Sequence, residues 1–181
     1  MKKFWKHLCA LTFIGGGMGL SACTTCNCEN AAIVDNSTVT SIDLGRYMGK
    51  WYEIARYDHR FERDMTHVTA EYSFLDDGKI LVLNKGIKNG KAKEIVGKAK
   101  QPDPQNAPGK LKVSFFMWFY TDYYVMELDE NYQYAVIGSS SDEYLWILSH
   151  TPELPYDTIV YLIDRLELRG YDTEKLTWVE Q

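Results

Sequence analysis

No cysteine follows Cys28, and no acidic residue precedes Glu29. The first absence removes disulfide staples and a thiol nucleophile from the long remainder of the chain. It also removes the widely spaced Cys or Cys-His pairs that a four-ligand zinc site requires. Histidine is scarce too, confined to His7, His59, His67 and His150, and no Ser-His or Cys-His motif is visible. Basic residues number 20 against 25 acidic ones. The chain also has no basic stripe, which argues against nucleic acid as a partner. No apolar run is long and uninterrupted enough to span a bilayer comfortably.

The amino terminus is positive and then apolar. Lys2, Lys3 and Lys6 precede Leu8, Leu11, Phe13, Ile14, Met18 and Leu20, the order of a secretory signal. The segment ends in "LSACTTCNC". Leu20-Ser21-Ala22-Cys23 resembles a bacterial lipobox, in which small side chains precede a cysteine that becomes residue one and carries diacylglycerol. That resemblance implies residues 1–22 as signal peptide, Cys23 as lipid anchor, and, with Thr24 rather than Asp after it, the outer membrane. Several acyl chains on one residue hold stably where one chain does not. Cys26 and Cys28 read as tether thiols without a catalytic role. A bridge between them closes a small, strained ring, and pairing between neighbouring molecules in an oxidising compartment is the alternative.

Loss of Lys2, Lys3 and Lys6 with the signal takes the formal charge from −5 to −8. The whole chain has 13 Tyr, 7 Phe and 5 Trp, a large amphipathic surface to bury or to line a cavity with. Residues 23–42, rich in Thr, Asn, Ser and Ala, read as a flexible tether, which leaves one domain at 43–181. From Trp51 onward short runs of β-branched and aromatic residues alternate with turn signals. Asp76-Asp77-Gly78 and Asn89-Gly90 are strong hairpin signals, "QPDPQNAPG" is a loop, and "KLKVSFF" alternates with period two. The pattern predicts an all-β domain, an eight-stranded antiparallel up-and-down β-barrel. One segment breaks it: Ile159, Leu162, Ile163 and Leu166 form a helical stripe between Pro155 and Gly170. This C-terminal helix packs outside the barrel, and a short final strand, "LTWVE", follows it.

That order resembles a lipocalin, and specifically the bacterial outer-membrane lipocalins related to apolipoprotein D. Gly49-Lys50-Trp51 matches the family's Gly-x-Trp motif. Thr121-Asp122-Tyr123 matches its Thr-Asp-Tyr motif at the turn into a later strand. "YLWILSHTP" matches the third region, with His150 where the family carries an arginine over the tryptophan. The resemblance implies a barrel closed at one end by Gly49, Trp51, Thr121, Asp122, Tyr123 and His150. A barrel of this size holds one small ligand. Strand parity proposes Tyr72, Phe74, Val82, Asn84, Phe115, Tyr123, Val125, Tyr134 and Trp146 as ligand-facing, with Tyr132, Val136 and Tyr144 sharing that parity.

The resemblance implies non-catalytic binding of a fatty acid or lysophospholipid, with no cofactor or metal, for lipid transport, storage or scavenging. An enzyme is the rival, but the cysteine that some lipocalins use for isomerisation is missing from this barrel. Glu53, Arg56, Asp58 and His59 read as exposed polar residues beside the mouth. The body offers no evident cationic cluster, so binding is expected to depend weakly on salt. A purely structural envelope protein, with its aromatics facing a partner, is the second rival, and the sequence is compatible with monomer or homodimer.

Overall fold

A computed structural model describes residues 34–181; the signal segment, Cys23, Cys26 and Cys28 lie outside the described residues. Eight strands follow one another as a meander: β1 Gly49–Tyr57, β2 Met65–Phe74, β3 Ile80–Lys88, β4 Lys91–Lys100, β5 Lys110–Phe116, β6 Phe119–Leu128, β7 Tyr134–Gly138 and β8 Leu145–Ser149. Each pairs antiparallel with the next, and β1 pairs with both β8 and β2, so the sheet closes. Closure removes the unpaired edges that an open sheet would offer for aggregation. A ninth strand, β9 Leu176–Trp178, adds to the outer part of β1 at Ala55–Tyr57.

The turn chemistry read from the sequence is in place. Asn89 and Gly90 both take positive φ, 52° and 69°, in the tight β3–β4 turn, as a two-residue hairpin of this hand requires. Gly78 has φ 78° in the β2–β3 connection. The connections 58–64, 89–90, 117–118 and 139–144 gather at one end of the barrel, the open end. The other three gather at the closed end.

Alternation sorts the strands onto two cores. The inner one joins Trp51, Tyr72, Val82, Leu111, Val113, Val125, Ala135, Ile137 and Leu148 inside the barrel. The outer one lies between the barrel wall and the helix α2 Tyr156–Leu168. Leu162 and Leu166 of the predicted stripe are fully buried there, with Ile163 partly so. A bulge between Glu53 and Ala55 turns Ile54 and Ala55 to the outer core and so lets Arg56 return to the inside.

Three expectations are corrected. Residues 34–42 are not a free tether: Val34 packs in the outer core and Val39 and Ile42 against the inner one. They lead into a short helix, α1 Leu44–Tyr47, whose first amides at Gly45 and Arg46 donate to the Asp43 carboxylate. Tyr134 and Val136 face the outer core rather than the lumen, because Ala135 and Ile137 take the inward parity of β7. Thr121 and Asp122 are not at a closed-end turn but within β6, where Asp122 pairs with Lys112 at 2.8 Å. The turn is made instead by Asp129–Tyr132, whose Asp129 carboxylate accepts from the amides of Asn131 and Gln133.

Candidate functional site: the barrel lumen and its mouth

The closed end is sealed by aromatic packing. Trp51 is fully buried, its ring centroid 4.8 Å from Tyr47 and 3.9 Å from His150. The indole N–H donates to the Tyr47 carbonyl at 2.8 Å, and His150 Nδ1 donates to the Lys50 carbonyl at 2.7 Å. His150 thus covers Trp51 as expected, with a backbone hydrogen bond holding the smaller ring in place. Above this floor the Tyr123 hydroxyl bonds those of Tyr47, at 2.7 Å, and Tyr72, at 2.9 Å. Burial pushes all three phenols above their ordinary range. They act as neutral hydrogen-bonding groups on an otherwise apolar floor.

Beyond the tyrosines solvent enters the barrel. Ile95 pairs with inward-facing Asn84 and is 49% exposed, and Phe115 is 36% exposed. The Phe115 ring lies over Gly97, where an added Cβ would sit 2.6 Å from it; a glycine there makes room for the ring. Asn84 presents a buried carbonyl oxygen with no partner among the described residues. Buried polar groups are almost always satisfied, so this oxygen is a ready acceptor for a ligand or water. Of the expected ligand-facing residues, Tyr72, Val82, Asn84, Phe115, Tyr123, Val125 and Trp146 face inward. Val125 lies in the packed floor, while Phe74 has run past the closed end and is half-exposed.

The sequence reading missed what stands beneath the mouth. Glu53 and Arg56 are buried in the lumen wall, not exposed, and their side chains meet at 2.6 Å. The Arg56 guanidinium also donates to the Glu62 carbonyl at 2.7 Å, and the Trp146 indole N–H donates to the Glu62 carboxylate at 3.1 Å. Burial first, and the Glu62 charge second, raise Glu53 to about 8 against the pull of Arg56. Burial raises Glu62 as well. The guanidinium thus pairs with the Glu53 carboxylate, while the Glu62 carboxylate stands near enough to bear on both through its charge. Their spacing in the sequence gives no hint of this, because the bulge at Glu53/Ala55 decides which side chains turn in.

The rim is polar on one side. A cleft of about 610 Å³ there is lined by Asp58, His59, Arg63, Asp142, Glu143 and Tyr144 among others. Its charge makes it unsuited to an acyl chain. A cationic group also exists: Lys85, Lys88, Lys91 and Lys93 crowd the β3–β4 hairpin, which withdraws the ground for expecting only a weak dependence of binding on salt.

A closed eight-stranded antiparallel barrel with one helix on its wall and a cup opening at one end is the lipocalin architecture. The chain belongs to the lipocalin-like domain family, whose model matches residues 42–181. It is 47% identical over 146 residues to the outer membrane lipoprotein Blc of Vibrio cholerae, covering 79% of this chain and 85% of that one. It is 36% identical to mouse apolipoprotein D over 151 residues, 78% of each chain. Among solved structures, insecticyanin from the tobacco hornworm superposes with a TM-score of 0.66 at 22% identity, covering 80% of this chain and 84% of that one, and supports the fold.

Proposed function

We propose that this lipocalin is a carrier, not an enzyme, that takes the acyl tail of a fatty acid or lysophospholipid into its barrel. We place it on the outer membrane through a lipid on Cys23. The observation that carries the reading is the accessible apolar upper lumen, with Ile95 and Phe115 open to solvent above a sealed floor. Neutral tyrosine hydroxyls and the Asn84 carbonyl supply the few polar contacts that such pockets use for orientation. Relatives named as outer membrane lipoproteins support the location.

A tail of about sixteen carbons at roughly 0.8 kcal/mol per methylene supplies about 13 kcal/mol, which leaves micromolar affinity after association costs of about 4–5 kcal/mol. In isothermal titration with fatty acids and lysophospholipids of increasing length, affinity is expected to climb and then level off when the lumen is full. Flat or absent binding across the series, with Trp146 fluorescence unmoved, would sink the carrier reading.

The anchor has its own test. Cys23→Ser is expected to leave unprocessed precursor that takes up no labelled palmitate. Label persisting in that variant would shift the assignment to Cys26.

A further inference from the structure

The β5–β6 hairpin ends in Phe116-Met117-Trp118-Phe119, exposed to 65, 59, 74 and 64% respectively. Phe116 pairs with Phe119 across the strands, their rings stacked at 6.5 Å, and Met117 takes a positive φ of 49° in the two-residue turn. Such a turn ordinarily calls for Asn, Asp or Gly. The same barrel uses Asn89-Gly90 at the neighbouring tip, so folding alone does not call for Met-Trp here. Strain at Met117 and four bare apolar side chains in water are both costs, which points to an apolar contact outside the chain.

We propose that this tip is a wedge that docks the open mouth of the barrel onto an anionic lipid bilayer. Two further observations select a bilayer. The described chain begins on the mouth side: the Asp35 amide donates to the Arg169 carbonyl just past α2, and the Asn36 side chain donates to the Ser139 carbonyl in a mouth connection. Ten residues separate Cys23 from Val34, and covalent geometry limits that stretch to about 40 Å. A lipid on Cys23 is therefore within tether reach of a bilayer that meets the mouth. Beside the tip, Lys85, Lys88, Lys91 and Lys93 make no ion pair among the described residues, although the mature body is acidic. Lysines flanking exposed aromatics suit an anionic lipid surface. A four-residue convex tip is far smaller than a stable protein interface, which disfavours a second copy of the chain.

The inference goes beyond the carrier reading but rests on the anchor at Cys23. The test therefore uses the full-length lipidated protein in vesicles and reads only protein that floats with them, so a failed anchor is told apart from a failed wedge. Vesicles are phosphatidylcholine, alone or with one-third phosphatidylglycerol, and carry brominated acyl chains. The Trp118 share of the emission is the difference between wild type and Trp118→Phe. That share is expected to be blue-shifted and quenched several-fold by bromine. Phe116→Ser with Phe119→Ser should abolish the quenching without detaching the protein. Lys88→Gln with Lys91→Gln should remove the added quenching that phosphatidylglycerol gives. A water-like, unquenched Trp118 on floating protein overturns the proposal. So does a blue shift that grows with protein density but is insensitive to bromine, the signature of a second copy covering the tip.

Discussion

Trp51→Ala is expected to cost about 3–5 kcal/mol, the range for deleting a fully buried large aromatic, and to lower the melting midpoint by roughly 10 °C. Trp51 is completely inaccessible, sits between Tyr47 and His150, and donates its N–H to the Tyr47 carbonyl. Truncation therefore opens a cavity in the barrel floor and strands a buried acceptor on α1. The surrounding strands are fixed by closure, so the cavity cannot collapse easily. His150→Arg should behave in the opposite way. A guanidinium laid over the indole keeps its charge at any pH and gains about 0.5–1 kcal/mol from the ring face. That gain offsets loss of the Nδ1 bond to the Lys50 carbonyl. Calorimetric melting of both variants checks the pair. A Trp51→Ala curve that overlays wild type would refute the account of the floor.

The features legible in the sequence were those written in local chemistry. Asn89-Gly90 and Gly78 name their own turns through positive φ, and the stripe from Ile159 to Leu166 names its buried face through spacing. Inward parity was correct for β2, β5 and β8, where a clean alternation runs through the strand. It failed at β7, where Tyr134, Ala135, Val136 and Ile137 offer apolar residues on both faces, because α2 buries the outer side as fully as the lumen buries the inner. Hydrophobicity cannot tell two cores apart. Thr121-Asp122-Tyr123 was misplaced for a related reason: a three-residue match says nothing about where a hairpin turns. The turn lies at Asp129, whose carboxylate is positioned to accept two amides.

The Glu53–Arg56–Glu62 cluster was illegible because it depends on a bulge and on a loop folding back over the mouth. It sets a distinct expectation for pH. Glu53 titrates near 8 in the folded protein against an ordinary value of 4.5, so the native state holds a proton there that the unfolded chain has released. Its contribution to stability is therefore fully present below about pH 4.5 and is lost as pH rises through 8. Glu53→Gln mimics the protonated form. It should match wild type near pH 5 and exceed it at pH 9, flattening the profile between. Arg56→Leu acts the other way. It takes the guanidinium away from Glu53 and the nearby Glu62, which is expected to cost most at pH 9, about 3–5 kcal/mol, where Glu53 is ionised in the wild type. Both carboxylates then titrate higher still, so the penalty should be largest at pH 9 and shrink as the pH falls and they take up protons. Urea unfolding of the three proteins at pH 5, 7 and 9 measures this. A constant Arg56→Leu penalty across that range would mean that neither Glu53 nor Glu62 takes up a proton. The cluster would then be a fixed ion pair, and ligand binding at the mouth would meet the same charge at every pH in that range.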